Sequence, residues 1–235
     1  MVTKNQIKLV TSLQQKKYRS QHGLFVVEGK KSVYELLAEG LVPFKIFVDP
    51  ALKGLDFGDV VTATTRELKQ MSGQTTPSGV LGVFHMPEPK KAIQADWIVA
   101  LDAVRDPGNL GTIIRLCDWF GIKHLVCSPD TVDCYNPKVL QATMGSIARV
   151  QIDYMELPNF LKTTGLPIYG AFMDGETVYQ EVIPDKGVLI MGNEANGISK
   201  EVEQAIAKRV SIPQFGTKSA ESLNVATATA ILLNE

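Results

Sequence analysis

The amino-acid sequence predicts an α/β protein in two parts, a small N-terminal α/β domain followed by a larger domain built on a parallel sheet. Two observations predict it. Short apolar stretches alternate with helical patterns along the whole chain, which implies strands joined through helices. The pattern is interrupted at PEPKKAIQAD (87–96), where two prolines, paired lysines and little apolar periodicity mark a linker. The expected division is therefore 1–86, a linker at 87–96, and 97–235.

Each element has a local signal. Ile7, Val10 and Leu13 recur at helical spacing, LFVV (24–27) reads as a short strand, and SVYELLAEG reads as a helix stopped by Gly40. FKIFVD, a helix near TRELKQM, and GVLGVFHM complete the first part. The second opens with strand WIVALDAV, helix GTIIRLCDWF, strand HLVCS and a helix from Pro137. A strand near 150–155, a helix near 158–164 and strand PIYGAFM follow. Strand GVLIMG, helix SKEVEQAIAKR, strand VSIP and a terminal helix in SLNVATATAILL end the chain.

Composition excludes several classes. With 235 residues, 45% of them hydrophobic, the chain can bury a real core. Its apolar runs end well short of the roughly 18 residues a membrane span needs, and MVTKNQIKLV has no apolar signal core, so a cytoplasmic protein without a membrane partner is expected. Cys117, Cys127 and Cys134 contain no CxxC pair, and His22, His85 and His124 have no ligand spacing. Neither a disulfide framework nor a metal site is indicated, and the cysteines are expected as core thiols.

Charge is distributed unevenly. Residues 1–31 carry Lys4, Lys8, Lys16, Lys17, Arg19, Lys30 and Lys31 against Glu28, so this segment is +6 and the remainder −7. Such a run is either a solvated helix face or a surface for nucleic-acid phosphates, with Lys16, Lys17 and Arg19 as the candidate RNA contacts. Tyr18 and Phe25 either stack on bases or belong to the core.

Parallel sheets place ligand sites in the loops beyond the carboxyl ends of their strands. Three loops qualify: RDPGNLGTIIR (105–115), MGNEANGIS (191–199) and IPQFGTKSAESLN (212–224). Gly192 and Gly197 let the backbone turn sharply and a flat ligand approach it. Glu194 beside an apolar strand is costly unless something cationic or donor-rich meets it. Asn109 can cap the helix that follows or serve a ligand, and Arg115, nearly two turns further on, is either a surface charge or a functional one reaching along the axis. Ser222 is first of all an N-cap with Asn224 its partner. No GxGxxG, GxxxxGK[ST] or G-x-S-x-G occurs, so the usual phosphate cradles and the hydrolase elbow are missing.

DPGNLGTIIRLCDWFG, MGNEANGIS and IPQFGTKSAESLNVATATAILL resemble, in order and spacing, the three motifs of the SpoU (TrmH-like) ribose 2′-O-methyltransferases of the SPOUT class. NPKVLQATMGSIARV (136–150) looks like the region between the first two, and KLVTSLQQKKYRSQHGLFVVEG is similar to the family's ribosomal-protein-like α/β substrate-binding domain.

The resemblance implies a homodimer that uses S-adenosylmethionine to methylate a ribose 2′-hydroxyl in ribosomal or transfer RNA. It also implies a C-terminal methyltransferase domain tied in a deep trefoil knot, which general topology rules would exclude. By motif position, Asn109, Arg115, Glu194, Ser222 and Asn224 match the family's functional polar residues. Ala171, Phe172, Gly192, Ile212 and Leu223 correspond to places where its backbone wraps the cofactor. One departure is the five-residue TKSAE between Gly216 and Ser222, where about three residues are usual in the family.

Methyl transfer to an alcohol needs the oxygen held in line with the methyl carbon and its proton removed; positioning alone can supply on the order of 7 to 11 kcal/mol. A guanidinium, with a pKa above about 12, is a reluctant base, so Arg115 either activates the hydroxyl or anchors a phosphate while a neighbouring oxygen takes the proton. Glu194 either orients Arg115 or offsets positive charge. A catalytically silent RNA-binding relative and an α/β enzyme using another nucleotide are the alternatives; the intact polar residues speak against the first, the missing phosphate loops against the second.

Overall fold

The computed structural model describes residues 2–52, 57–88, 97–180, 184–216 and 222–235. In chain order the elements are α1 (Lys4–Ser12), α2 (Lys16–His22), β1 (Leu24–Glu28), α3 (Lys30–Ala38), β2 (Pro43–Val48), β3 (Val60–Thr62), α4 (Thr65–Met71) and β4 (Val80–His85). These continue into β5 (Trp97–Leu101), α5 (Pro107–Trp119), β6 (His124–Cys127), α6 (Pro137–Thr143), β7 (Gln151–Tyr154) and α7 (Leu157–Thr163). The last are β8 (Ile168–Thr177), β9 (Gly187–Met191), α8 (Lys200–Glu203), β10 (Lys208–Ser211) and α9 (Val225–Leu232).

The chain forms two compact units, one of residues up to 88 with 133–148, the other of the remainder. The segment 133–148, which sequence periodicity groups with the second half, packs in the first unit. Of the expected linker 87–96, residues 89–96 lie outside the described residues.

In the first unit a four-stranded sheet runs β1-β4-β2-β3. β4 is antiparallel to both neighbours, and β3 joins β2 in parallel. One face of the sheet packs Leu24, Val26, Phe47, Leu81 and Val83 against Val10 and Leu13 at the end of α1 and Leu68 and Met71 of α4. Thr3 and Thr64 begin α1 and α4 with full capping boxes, each side chain accepting from the backbone three residues on while Gln6 or Glu67 reaches back. Gly23 ends α2 in the left-handed region, φ 63°, which is why the chain can turn there directly into β1.

In the second unit six strands run β10-β8-β9-β5-β6-β7, all in parallel. This is the covered parallel sheet that the near-continuous apolar strands predict: every residue of β6 and β9 is buried. One face carries Ile98, Ala100, Val126, Val188 and Ile190 against Leu157 and Leu161 of α7 and Val202 of α8. α5 buries Leu110, Ile113, Ile114 and Cys117, a helical stripe, and packs against α9.

Several element boundaries differ from expectation, most of all around the last strands. α8 is only Lys200–Glu203, β10 begins at Lys208, and β8 runs to Thr177. Cys117, Cys127 and Cys134 are all buried thiols, and burial pushes the Cys117 thiol up to about 12. Among the described residues no helix is long and apolar enough to cross a membrane, and no group of His, Cys, Asp and Glu is placed to hold a metal ion.

Candidate active site at the carboxyl ends of the parallel strands

β5 empties into Asp102 and Ala103, and the polar network starts there. Asp102 is buried and its carboxylate accepts from Ser199 N at 2.7 Å, fastening the loop after β5 to the start of α8. Ala103 sits at φ 56°, a left-handed conformation that costs a residue with a Cβ about 1 to 3 kcal/mol and has to be held in place. Two side chains hold it. Ser128 Oγ accepts from Ala103 N at 2.8 Å, and Asn193 Nδ2 donates to Ala103 O at 2.7 Å.

The N-cap of α5 is Asp106, not Asn109: the Asp106 carboxylate accepts from Asn109 N at 2.8 Å, with Pro107 in the first turn. With the capping role filled, the Asn109 side chain is free for another task. Its Nδ2 donates to Glu194 Oε1 at 2.9 Å, and its Oδ1 accepts from Asn224 Nδ2 at 2.9 Å. Asn224 in turn caps α9, its Oδ1 accepting from Ala226 N and Thr227 N. Ser222, expected as that cap, is instead an exposed residue two positions before the cap.

The loop after β9 closes on itself. Asn193 Oδ1 accepts from Ala195 N and Asn196 N, and Asn193 and Gly197 exchange backbone hydrogen bonds at 2.9 Å. A Cβ on Gly192 would lie 2.3 Å from the Gly197 carbonyl carbon, so only glycine lets the two ends of this loop meet. The donor-rich surroundings expected for Glu194 are two amides, Asn109 Nδ2 and Asn193 Nδ2, the latter at 3.3 Å from Oε2. The sheet end thus gathers three of the predicted residues, Asn109, Glu194 and Asn224, into one chain of hydrogen bonds.

Arg115 is not part of that chain. It is exposed on α5, and no hydrogen bond or ion pair engages its guanidinium among the described residues. Glu194 accepts from amides and makes no ion pair with Arg115, so the alternative in which it orients Arg115 directly is not what the structure holds.

At β8, pairing with β9 stops at Gly170 and pairing with β10 jumps from Gly170 to Glu176. Ala171–Gly175 therefore form a large bulge within β8 at the same end as the polar chain. Gly175 crosses the β10 backbone closely, since a Cβ there would meet Arg209 C at 2.7 Å. The Phe172 ring lies 3.5 Å under the Arg209 guanidinium, which also pairs with Asp174 at 2.6 Å and with Glu203. The hydrogen bond from Arg209 holds the Asp174 carboxyl below the usual range, and that bond, with its counterpart to Glu203, raises Arg209. Phe172 is thus engaged by its ring, which leaves its backbone for a ligand. Ile212 follows β10, Leu223 is exposed beside Asn224, and TKSAE lies outside the described residues.

These groups fit a nucleoside cofactor without phosphates. Loop backbone at the ends of β8, β9 and β10 can meet an adenine edge, and the exposed Leu223, Met173 and Phe215 are apolar side chains that a ligand could cover. Residues that sequence patterns did not single out are Asp102, Ala103, Asp106 and Asn193. Only Asp102, a carboxylate directly after a run of apolar residues, carried a readable signal.

In the first unit the RNA candidates divide. Lys16 and Lys17 are exposed, as are Lys4, Lys8, Lys30 and Lys31. Arg19 is 2% exposed: it donates to Leu13 O and Gln14 O, both at 2.9 Å, and to Asp133 at 2.5 Å. Its charge belongs to the interior, so Arg19 is withdrawn as an RNA contact. Phe25 is core, against Phe84 and Tyr135.

The SpoU rRNA Methylase family model matches residues 96–234. The chain belongs to that family. A second model, the MRM3-like substrate binding domain, matches residues 4–82. The chain is 34% identical to the 23S rRNA (guanosine(2553)-2'-O)-methyltransferase RlmP of Bacillus subtilis (strain 168), over 98% of this chain and 95% of that one. Among solved structures, a TrmH-family protein from Porphyromonas gingivalis superposes with a TM-score of 0.89 at 38% identity, covering 100% of this chain and 97% of its own. An S-adenosylmethionine-bound rRNA methyltransferase from Sinorhizobium meliloti superposes at 0.84 with 29% identity, covering 99% and 94%. The fold is therefore that of the SPOUT methyltransferases with an N-terminal substrate-binding domain.

Proposed function

We propose that this SpoU-family chain is an RNA 2′-O-ribose methyltransferase that uses S-adenosylmethionine. The observation that carries the reading is the Glu194–Asn109–Asn224 chain of hydrogen bonds, which ties all three motif loops together at one end of the parallel sheet. Ribosomal RNA is the favoured substrate class, because the Bacillus subtilis relative is named for 23S rRNA.

When bound, S-adenosylmethionine supplies a methyl group activated by its sulfonium. Ala171, Phe172, Gly192, Ile212 and Leu223 would hold it, by backbone groups and by the Leu223 side chain. Asn109 is fixed at both ends of its carboxamide, so it cannot swing when substrate arrives, and rigid positioning of this kind contributes to catalysis. Glu194 places a carboxylate at this sheet end, held by the amides of Asn109 and Asn193. Ser222, exposed beside this cluster, is a hydroxyl donor and acceptor for substrate. Arg115, held by no acid among the described residues, is a two-pronged donor for an RNA phosphate, and its role here is to orient the ribose.

The deep knot and the homodimer belong to the same proposal, the first supported by α9 returning to α5 after β10 has paired with β8. A cytoplasmic location follows if the substrate is RNA of that compartment. Mapping ribose methylation in RNA from a strain lacking the protein tests the function: one ribose methyl should vanish, and an unchanged map would overturn the proposal.

A further inference from the structure

β2 and β4 are out of step at one point. Pro43 pairs with Phe84 and Lys45 with Val83, so Phe44 is an extra residue, a β-bulge. Bulges bend a strand and re-aim a side chain. Regular alternation would put Phe44 on the side of the buried Ile46; the bulge instead brings its ring to His85, at 5.8 Å and 77°, an edge contact. That contact braces the ring without covering it, and Phe44 remains 44% exposed, next to Val42 at 62%.

The unit that carries Phe44 also carries the basic segment of the chain. His85 pairs with Leu24, which follows the exposed His22 and the left-handed Gly23 at the end of α2. α2 begins with the exposed Lys16 and Lys17, and no acid lies in residues 1–27. Lysines supply affinity for any phosphate backbone, whereas an aromatic ring held out in solvent gains most from the flat face of an unpaired base.

We propose that Phe44, turned outward by the bulge and braced by His85, is a stacking platform for an unpaired base of single-stranded RNA. This rests on the RNA-modifying function proposed above and adds how the first unit chooses unpaired over duplex RNA. Stacking leaves no counterion to release, so its contribution is independent of salt.

The test measures binding of the full chain to a single-stranded oligoribonucleotide of mixed sequence, and to the same sequence as a duplex, across a salt series. Phe44→Ala and Phe44→Leu should each weaken single-strand binding about 5- to 150-fold, leave its salt slope unchanged and leave the duplex affinity unchanged. Phe44→Tyr should restore single-strand binding. Wild-type affinity in the Ala and Leu variants, an equal loss on duplex, or no rescue by Tyr would overturn the proposal. Because the readout is binding, it stands apart from methyl transfer: a chain that bound RNA through Phe44 but left every ribose unmethylated would refute the function and not the platform.

Discussion

Two polar regions of the protein are built in opposite ways. At the sheet end of the second unit, Asn109 joins Glu194 to Asn224 by hydrogen bonds, and Asp102, Ser128 and Asn193 hold the loops that carry them. On the first unit, Lys16 and Lys17 are exposed and make no ion pair among the described residues. The first arrangement suits chemistry, where a small displacement is costly; the second suits a long flexible polyanion, where only charge is required. Two arginines invert the pattern. Arg115 lies in the catalytic half yet makes no ion pair among the described residues, and Arg19 lies in the basic segment yet is buried and paired with Asp133.

Arg115 should give the largest effect. Arg115→Ala should lower turnover on the order of 10²- to 10³-fold, as loss of a positioned donor does, and Arg115→Lys should lose most of it, since a point charge lacks the two-pronged fork. Calorimetry should find cofactor binding unchanged in both. Near-normal single-turnover rates at saturating RNA would remove Arg115 from the mechanism.

The next test breaks the preorganised chain. Glu194→Gln keeps the shape but turns an amide donor toward Asn109 or Asn193, themselves donors, and should cost about 100-fold in turnover while the circular dichroism spectrum is kept. Asn109→Ala should do the same. Unaltered kinetics in both would mean that the hydrogen bonds are only structural.

Arg19 should affect stability instead. Arg19→Met leaves the part-buried Asp133 without its ion-pair partner and should cost about 3 kcal/mol in urea unfolding, with an unchanged salt slope for RNA binding. A changed slope with full stability would return Arg19 to the RNA surface. The smallest effect belongs to Lys16→Ala with Lys17→Ala, which should reduce the salt slope for single-stranded RNA by about 1.4 and leave stability intact; an unaltered slope would make that stretch a solvated face.

How much of this was legible follows from the range of each interaction. The three loops could be read because an apolar strand running into glycine and asparagine is a local signal, and the parallel sheet because its strands are apolar throughout. The cap of α5 was misjudged because Asp106 and Asn109 both suit an N-cap, and only the three-dimensional path assigns the role to Asp106. Asn224 displaced Ser222 for the same reason. Arg19 sits among lysines in sequence, and its partner Asp133 is 114 residues away, a pairing that no local pattern encodes. The packing of 133–148 in the first unit is equally non-local.

The central claim is that the joined loops form a site for methyl transfer to ribose. The most direct measurement incubates the full chain and its Arg115→Ala variant with methyl-labelled S-adenosylmethionine and ribosomal RNA, then hydrolyses the RNA in alkali. Label at a ribose 2′-oxygen blocks cleavage of the adjacent bond. The account predicts labelled, alkali-resistant dinucleotides with the wild type and a loss of them with Arg115→Ala, cofactor binding being equal in both. Label recovered in mononucleotides, which places the methyl on a base, or equal labelling by the two proteins would contradict it.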